Sequence, residues 1–251
     1  MSVRTLTVTS CLLASLACLA CTDDSREQSS RVRPGGLADD GGCANAAGLL
    51  QDLGRGDRRA LGGDVDGDDR PDDAFIGIDE DAEIGCRGVL FVVAGDATYA
   101  TGVDTEATQL DLGQPGLRLL AEIDGEPGAE AIVDVQSGAS TGFVAAYAID
   151  EARLLRVRVR GGPGPAGGLF AYGGSVGHAD GVDCSPSGEV VTYSAVPQGN
   201  HYLVRRFFLT PVNDALVANR TKTETDKVPP EELFVQFPQL AGPPFDNCPQ
   251  P

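Results

Sequence analysis

Asp64, Asp66, Asp68 and Asp72 stand at positions 1, 3, 5 and 9 of the nonamer Asp64-Val-Asp66-Gly-Asp68-Asp69-Arg70-Pro-Asp72. In a tight turn, carboxylates so spaced converge on one point, and the carbonyl of Arg70 at position 7 adds a fifth oxygen. Calcium takes six to eight oxygens at about 2.3–2.6 Å, so Asp64, Asp66, Asp68, Arg70 and Asp72 form a candidate calcium set. Carboxylates this close repel one another unless a cation lies among them, so such an ion would contribute to folding as well as fill a site. A solvated acidic turn is the alternative. The loop is not an EF-hand, because position 6 is Asp69 instead of Gly and position 12 is Phe75 instead of Glu.

The nonamer recurs as Glu122-Ile-Asp124-Gly-Glu126-Pro-Gly128-Ala-Glu130 and as Gly181-Val-Asp183-Cys-Ser185-Pro-Ser187-Gly-Glu189. The third residues, Asp66, Asp124 and Asp183, lie 58 and 59 positions apart, as do the ninth residues. In the second copy, Glu122, Glu126 and Glu130 carry one more methylene than Asp, which loosens the ring. With Asp124 and the Gly128 carbonyl they make a weaker second metal set. The third copy keeps only Asp183 and Glu189 as carboxylates, too few for an ion, and a Cys184–Cys248 disulfide is a candidate to hold that loop instead.

These loops need strands to hold them. Each is followed by a β-rich segment (Ala74 to Ile76, Ala131 to Val133, Val190 to Tyr193) and then by a longer strand (Val89 to Ala94, Phe143 to Ile149, Tyr202 to Leu209). A fourth strand follows at Thr98 to Val103, Leu154 to Val159 and Leu216 to Thr221, and leading strands are expected at Leu117 to Glu122 and Phe170 to Val176. No window shows convincing helical spacing of apolar residues. The expected fold is therefore all-β and β-propeller-like, with three four-stranded units of about 59 residues.

Gly63 to Asp72, together with Tyr172-Gly-Gly-Ser-Val176, resembles the FG-GAP/VCBS repeat family, the calcium-loop propeller repeats also found in integrin α-chains. That pattern joins an FG-x-S-V start to a Gly-Asp-x-Asp-Gly-Asp-Gly-x-x-Asp loop and a buried strand. Here Asp69 stands where Gly is usual, and Tyr172 replaces Phe. The resemblance covers about residues 58–226, most strongly in the first unit, and implies calcium as the cofactor and a propeller as the scaffold. Closed propellers use four to eight blades. Three units therefore imply an incomplete propeller, degenerate end segments that supply a blade, or two chains that pair through open edges as a homo-oligomer.

Other strings give weaker chemistry. Gly173-Gly-Ser175-Val-Gly177 fits G-x-S-x-G with His178 nearby, but strands flank it and a nucleophile elbow joins a strand to a helix. Gly162 to Gly167 fits G-x-G-x-x-G, yet its prolines remove the helix N-terminus that a pyrophosphate needs. His178 and His201 are the only histidines. Arg156, Arg158 and Arg160 alternate along one strand face, which reads as charge protecting a sheet edge, with an anion-binding patch as the alternative.

Leu6 to Ala20 is an uncharged apolar run behind Arg4, too short to span a bilayer, and reads as a signal peptide over 1–20. Leu19-Ala20-Cys21 resembles the bacterial lipobox, with Cys21 as the acylated residue; Cys18 and plain secretory cleavage after Ala20 are the alternatives. Residues 21–42 are then a lipidated Cys and a flexible tether, and 43–251 the domain, with a Pro-rich tail over 228–251. Cys43, Cys86, Cys184 and Cys248 allow three disulfide connectivities. Cys43–Cys86 with Cys184–Cys248 is expected, since each bridge then ties a terminus to a loop; no C-x₂-C pair in the domain favours zinc instead.

Charge bounds the partners. With 37 Asp+Glu against 19 Lys+Arg, the net charge of −18 repels phosphate backbones, so nucleic acid is an unsuitable partner. The expectation is a lipoprotein of the bacterial cell envelope, facing the periplasm or the exterior and reaching the membrane through its lipid anchor. Its expected function is non-catalytic, a binding or interaction module for a protein or glycan ligand. An extracytoplasmic hydrolase using loop carboxylates and a self-associating structural protein are the alternatives.

Overall fold

The computed structural model describes residues 37–39, 41–53, 60–104, 115–161, 168–175, 177–213, 215–219 and 222–251. The expected signal peptide over 1–20, with Cys18 and Cys21, lies outside the described residues. The described residues are all-β in their main body, built mainly as antiparallel meanders with two parallel edge pairings.

Leu37–Asp39, in the stretch expected as tether, forms β1, and Ala46–Leu53 forms α1. The first repeat unit follows as β2 (Leu61–Gly63), β3 (Asp72–Ile78), β4 (Gly88–Ala94) and β5 (Ala97–Gly102). These make a five-stranded sheet of order β1-β5-β4-β3-β2, in which β1 runs parallel to β5. The second unit is β6 (Gly116–Ala121), β7 (Glu130–Ser137), β8 (Thr141–Asp150), β9 (Arg153–Arg156) and β10 (Arg158–Arg160). The third is β11 (Phe170–Ser175), β12 (His178–Cys184), β13 (Val190–Gln198), β14 (His201–Val212), β15 (Ala215–Ala218) and β16 (Glu224–Val228).

Three features depart from the sequence reading. First, the second and third units form one sheet of order β10-β15-β14-β13-β12-β11-β8-β7-β6, with β16 on β14 and β9 on β8. They are joined because β11 pairs with β8 from Phe170↔Val144 to Gly173↔Thr141, so they are not separate blades, and neither sheet is closed. Second, the strand leading into the third loop is β12, and β11 is an additional bridging strand. Third, α1 is a helix where none was expected. It offers two apolar pairs at i, i+4, Ala46/Leu50 and Leu49/Leu53, over only two turns. Its partner is Gly77 of β3, where a Cβ would stand 2.6 Å from Leu53 Cδ1. The helix docks because that position has no side chain.

Four apolar clusters hold these layers. Ala74, Leu90 and Val92 of the first sheet face Leu120, Val133 and Tyr147 of the second. The other face of the first sheet, with Phe75 stacked on Phe91, is closed by α1 and Cys43–Cys86. Ile132, Val144, Phe170, Val182 and Leu209 pack with Phe245 and Cys184–Cys248, so the second expected bridge also forms. Tyr193 and Val204 are covered by Leu233, Phe237 and Leu240. The last three belong to the Pro-rich tail, which is folded into short turns and the one-turn helix α2 (Leu233–Gln236).

Candidate metal centre

The first acidic loop runs from the end of β2 to the start of β3, which pair as Gly63↔Asp72 and so fix both ends. Gly67, at φ 76°, turns the chain back, and Asp69 follows at φ 62°. Both lie in the left-handed region, which Gly enters freely and Asp with less penalty than most residues. The carboxylates are held by the loop's own amides. Asp64 Oδ1 accepts from Gly67 N–H at 2.7 Å and Oδ2 from Asp69 N–H at 2.8 Å. Asp72 Oδ2 accepts from Val65 N–H at 2.8 Å and Asp66 N–H at 3.2 Å.

This arrangement brings one oxygen each of Asp64, Asp66 and Asp72 within 4.8 Å of one another. Burial, and then the neighbouring Asp68, push the Asp66 carboxyl above its ordinary range; Asp72 is raised by burial, with Asp66 and Asp64 adding to it. Crowded carboxylates of this kind are what a hard cation neutralises, so the three Asp could hold a metal ion. Asp68 stands apart. Its carboxylate turns to the exposed Arg70 guanidinium, which holds it below the usual range. A surface pair of this type is weak and exchangeable.

The second loop repeats the first in detail. Gly125 has φ 79°, matching Gly67. Glu130 Oε2 accepts from Ile123 N–H at 2.8 Å, as Asp72 does from Val65, and Glu126 N–H donates to Asp124 Oδ1 at 2.9 Å, as Asp68 does to Asp66. The electrostatics differ. Glu130 is 2% exposed, and burial, then the adjacent Asp124, raise its carboxyl to about 9. At neutral pH that side chain carries a proton. Glu122 and Glu126 sit at the loop's exposed margin, and Gly128 packs under the first loop.

The two loops are stacked. Ala129 N–H donates to Asp64 O at 2.8 Å, and a Cβ on Gly67 would stand 2.7 Å from Pro127 O. The third nonamer has another shape: β12 continues through Asp183, and Ser185 to Gly188 form a tight turn. Asp183 is buried and accepts from Cys184 N–H and Asn247 N–H, each at 2.9 Å, and from the Asn247 side-chain amide. Asn247 was invisible to a repeat-based reading, since it lies 64 residues from Asp183 and outside every repeat. Glu189 is turned outward to Lys222.

No family model, curated protein or solved structure matches the chain. The site must therefore be read from its own geometry.

The remaining motifs fall elsewhere. Ser175 Oγ lies 3.5 Å from His178 Nδ1, and His178 Nε2 lies 2.8 Å from Thr141 Oγ1, at an open hairpin end. His201 is half-buried beside Gln198 and Asn200 at the β13–β14 turn. The expected strand Leu154 to Val159 is broken at Val157, so Arg156 ends β9 on β8 while Arg158 and Arg160 lie on β10, an edge strand beside β15; the three arginines do not share one strand. The Gly162 to Gly167 string lies outside the described residues.

Two disulfides are the covalent pattern of oxidising compartments and agree with an extracytoplasmic location. Among the described residues, no helix is long and apolar enough to cross a membrane.

Proposed function

We propose that the protein is an exported lipoprotein, acylated at Cys21, whose domain is a calcium-stabilised, non-catalytic binding module of the bacterial cell envelope. The observation that carries this reading is the convergence of Asp64, Asp66 and Asp72 within one loop, where loop amides already orient the Asp64 and Asp72 carboxylates. Calcium held there would supply charge neutralisation, with Asp68 free to leave Arg70 and the Arg70 carbonyl within the same turn. The repeat-locked spacing favours ligation by these carboxylates over acid–base catalysis. Three four-stranded meanders, the repeated loop and the FG-GAP/VCBS resemblance support a propeller-derived scaffold, opened where β8 and β11 join. On this reading the loops and edges exposed by the rigid sheets take the protein or glycan ligand.

Isothermal titration of calcium into the purified, chelator-stripped protein tests the metal assignment. One saturable site that disappears in Asp66→Asn supports it. Equal heats in wild type and variant would make the first loop a solvated acidic turn.

A further inference from the structure

Residues 245–251 touch all three repeat units. Phe245 N–H donates to Val182 O at 3.0 Å, and its buried ring meets Phe170 edge-on with centroids 5.0 Å apart. Asn247 holds Asp183, and Cys248 is bonded to Cys184. Pro249 O accepts from Glu122 N–H at 2.9 Å, and Glu122 opens the second acidic loop. Pro251 lies against Gly63, the residue before Asp64: a Cβ on Gly63 would stand 2.5 Å from Pro251 Cγ.

We propose that residues 245–251 are a clasp, locked by Cys184–Cys248, that positions the two stacked acidic loops and thereby sets the cation affinity of the first. The path is continuous in space. From the disulfide it passes through the Pro249 carbonyl to Glu122, across the second loop to Ala129, and through the Ala129 N–H to Asp64 O. A second route runs from Pro251 directly onto Gly63. The first loop needs such support because its leading strand, β2, has three residues and lies at the sheet edge. A strand this short holds its end weakly by pairing alone, and any movement of Gly63 moves Asp64. The affinity part of this proposal rests on the calcium reading above; the positional part does not.

The test compares the full chain with Cys184→Ser/Cys248→Ser and with a deletion of Pro249 to Pro251, which leaves the bridge intact. Hydrogen exchange is read over residues 61–72 and 120–130, and calcium affinity by titration. Exchange in both loops should rise about tenfold in either variant, and calcium affinity should fall about tenfold. Cys43→Ser/Cys86→Ser, which loosens the α1 side, should leave both loops unchanged. If the wild type binds no calcium, the metal reading fails while exchange still decides the clasp. Unchanged loop exchange in the deletion variant, or unchanged affinity in a wild type that does bind, would overturn the proposal.

Discussion

Glu130 Oε2 accepts the backbone N–H of Ile123 at 2.8 Å from a position almost wholly withdrawn from water. Asp72 makes the same contact to Val65 in the preceding unit, at the same distance. The two loops thus share one architecture and differ in what neutralises it. In the first, three carboxylates converge; in the second, the proton on Glu130 removes one charge beside Asp124.

That proton gives stability a pH dependence of definite sign. The Glu130 carboxyl rises from 4.5 to about 9 on folding, so between these values the folded state binds the extra proton. Its contribution is complete below the lower value and is lost as pH rises through the upper one. Glu130→Gln keeps an acceptor for Ile123 without a titrating group. In chelator, the urea-unfolding free energy of wild type should fall from pH 5 to pH 9 relative to the variant, by more than about 1 kcal/mol. Parallel pH profiles would contradict the assignment.

Asn247 does for Asp183 what a cation does for a carboxylate cluster, using two neutral donors. Asn247→Ala leaves the buried carboxylate short of partners and should cost about 2–3 kcal/mol in chemical denaturation. The loss should be the same with and without calcium, because this loop lacks an ion's ligand set. A calcium-dependent loss would show that the third loop also takes a cation.

How much of this was legible follows from which interactions are local. The nonamer carried the loops, because Gly67 and Gly125 are needed at fixed places in one turn and the carboxylates recur in phase with them. The two disulfides are the expected pairing among the three connectivities that four cysteines allow, a choice the sequence left open. The third loop was legible in part: its loss of carboxylates and the Cys184–Cys248 bridge could be read, while Asn247, the partner of Asp183, is remote in sequence. The join of β8 to β11 was equally hidden: Phe143 pairs with Ala171 across a connection whose register no local pattern encodes. The helix α1 was too short for its period to stand out, and its docking surface is an absence, the missing side chain of Gly77.

That absence can be tested. Gly77→Ala places a methyl carbon where Leu49 and Leu53 already pack, within 3 Å of both. The variant should lose about 1–3 kcal/mol through overpacking, read by denaturant unfolding, with faster exchange confined to 46–53. Leu53→Ala in the same background should recover part of the loss. No recovery would mean that α1 does not dock as described.

The measurement that bears most directly on the account is thermal unfolding of the non-reduced protein in EDTA and in millimolar calcium, for wild type and Asp66→Ala. At calcium a hundredfold above its dissociation constant, mass action should raise the wild-type midpoint by about 5–10 °C, and the variant should not respond. Identical midpoints in EDTA and calcium for the wild type would contradict the assignment of Asp64, Asp66 and Asp72 as a structural calcium site.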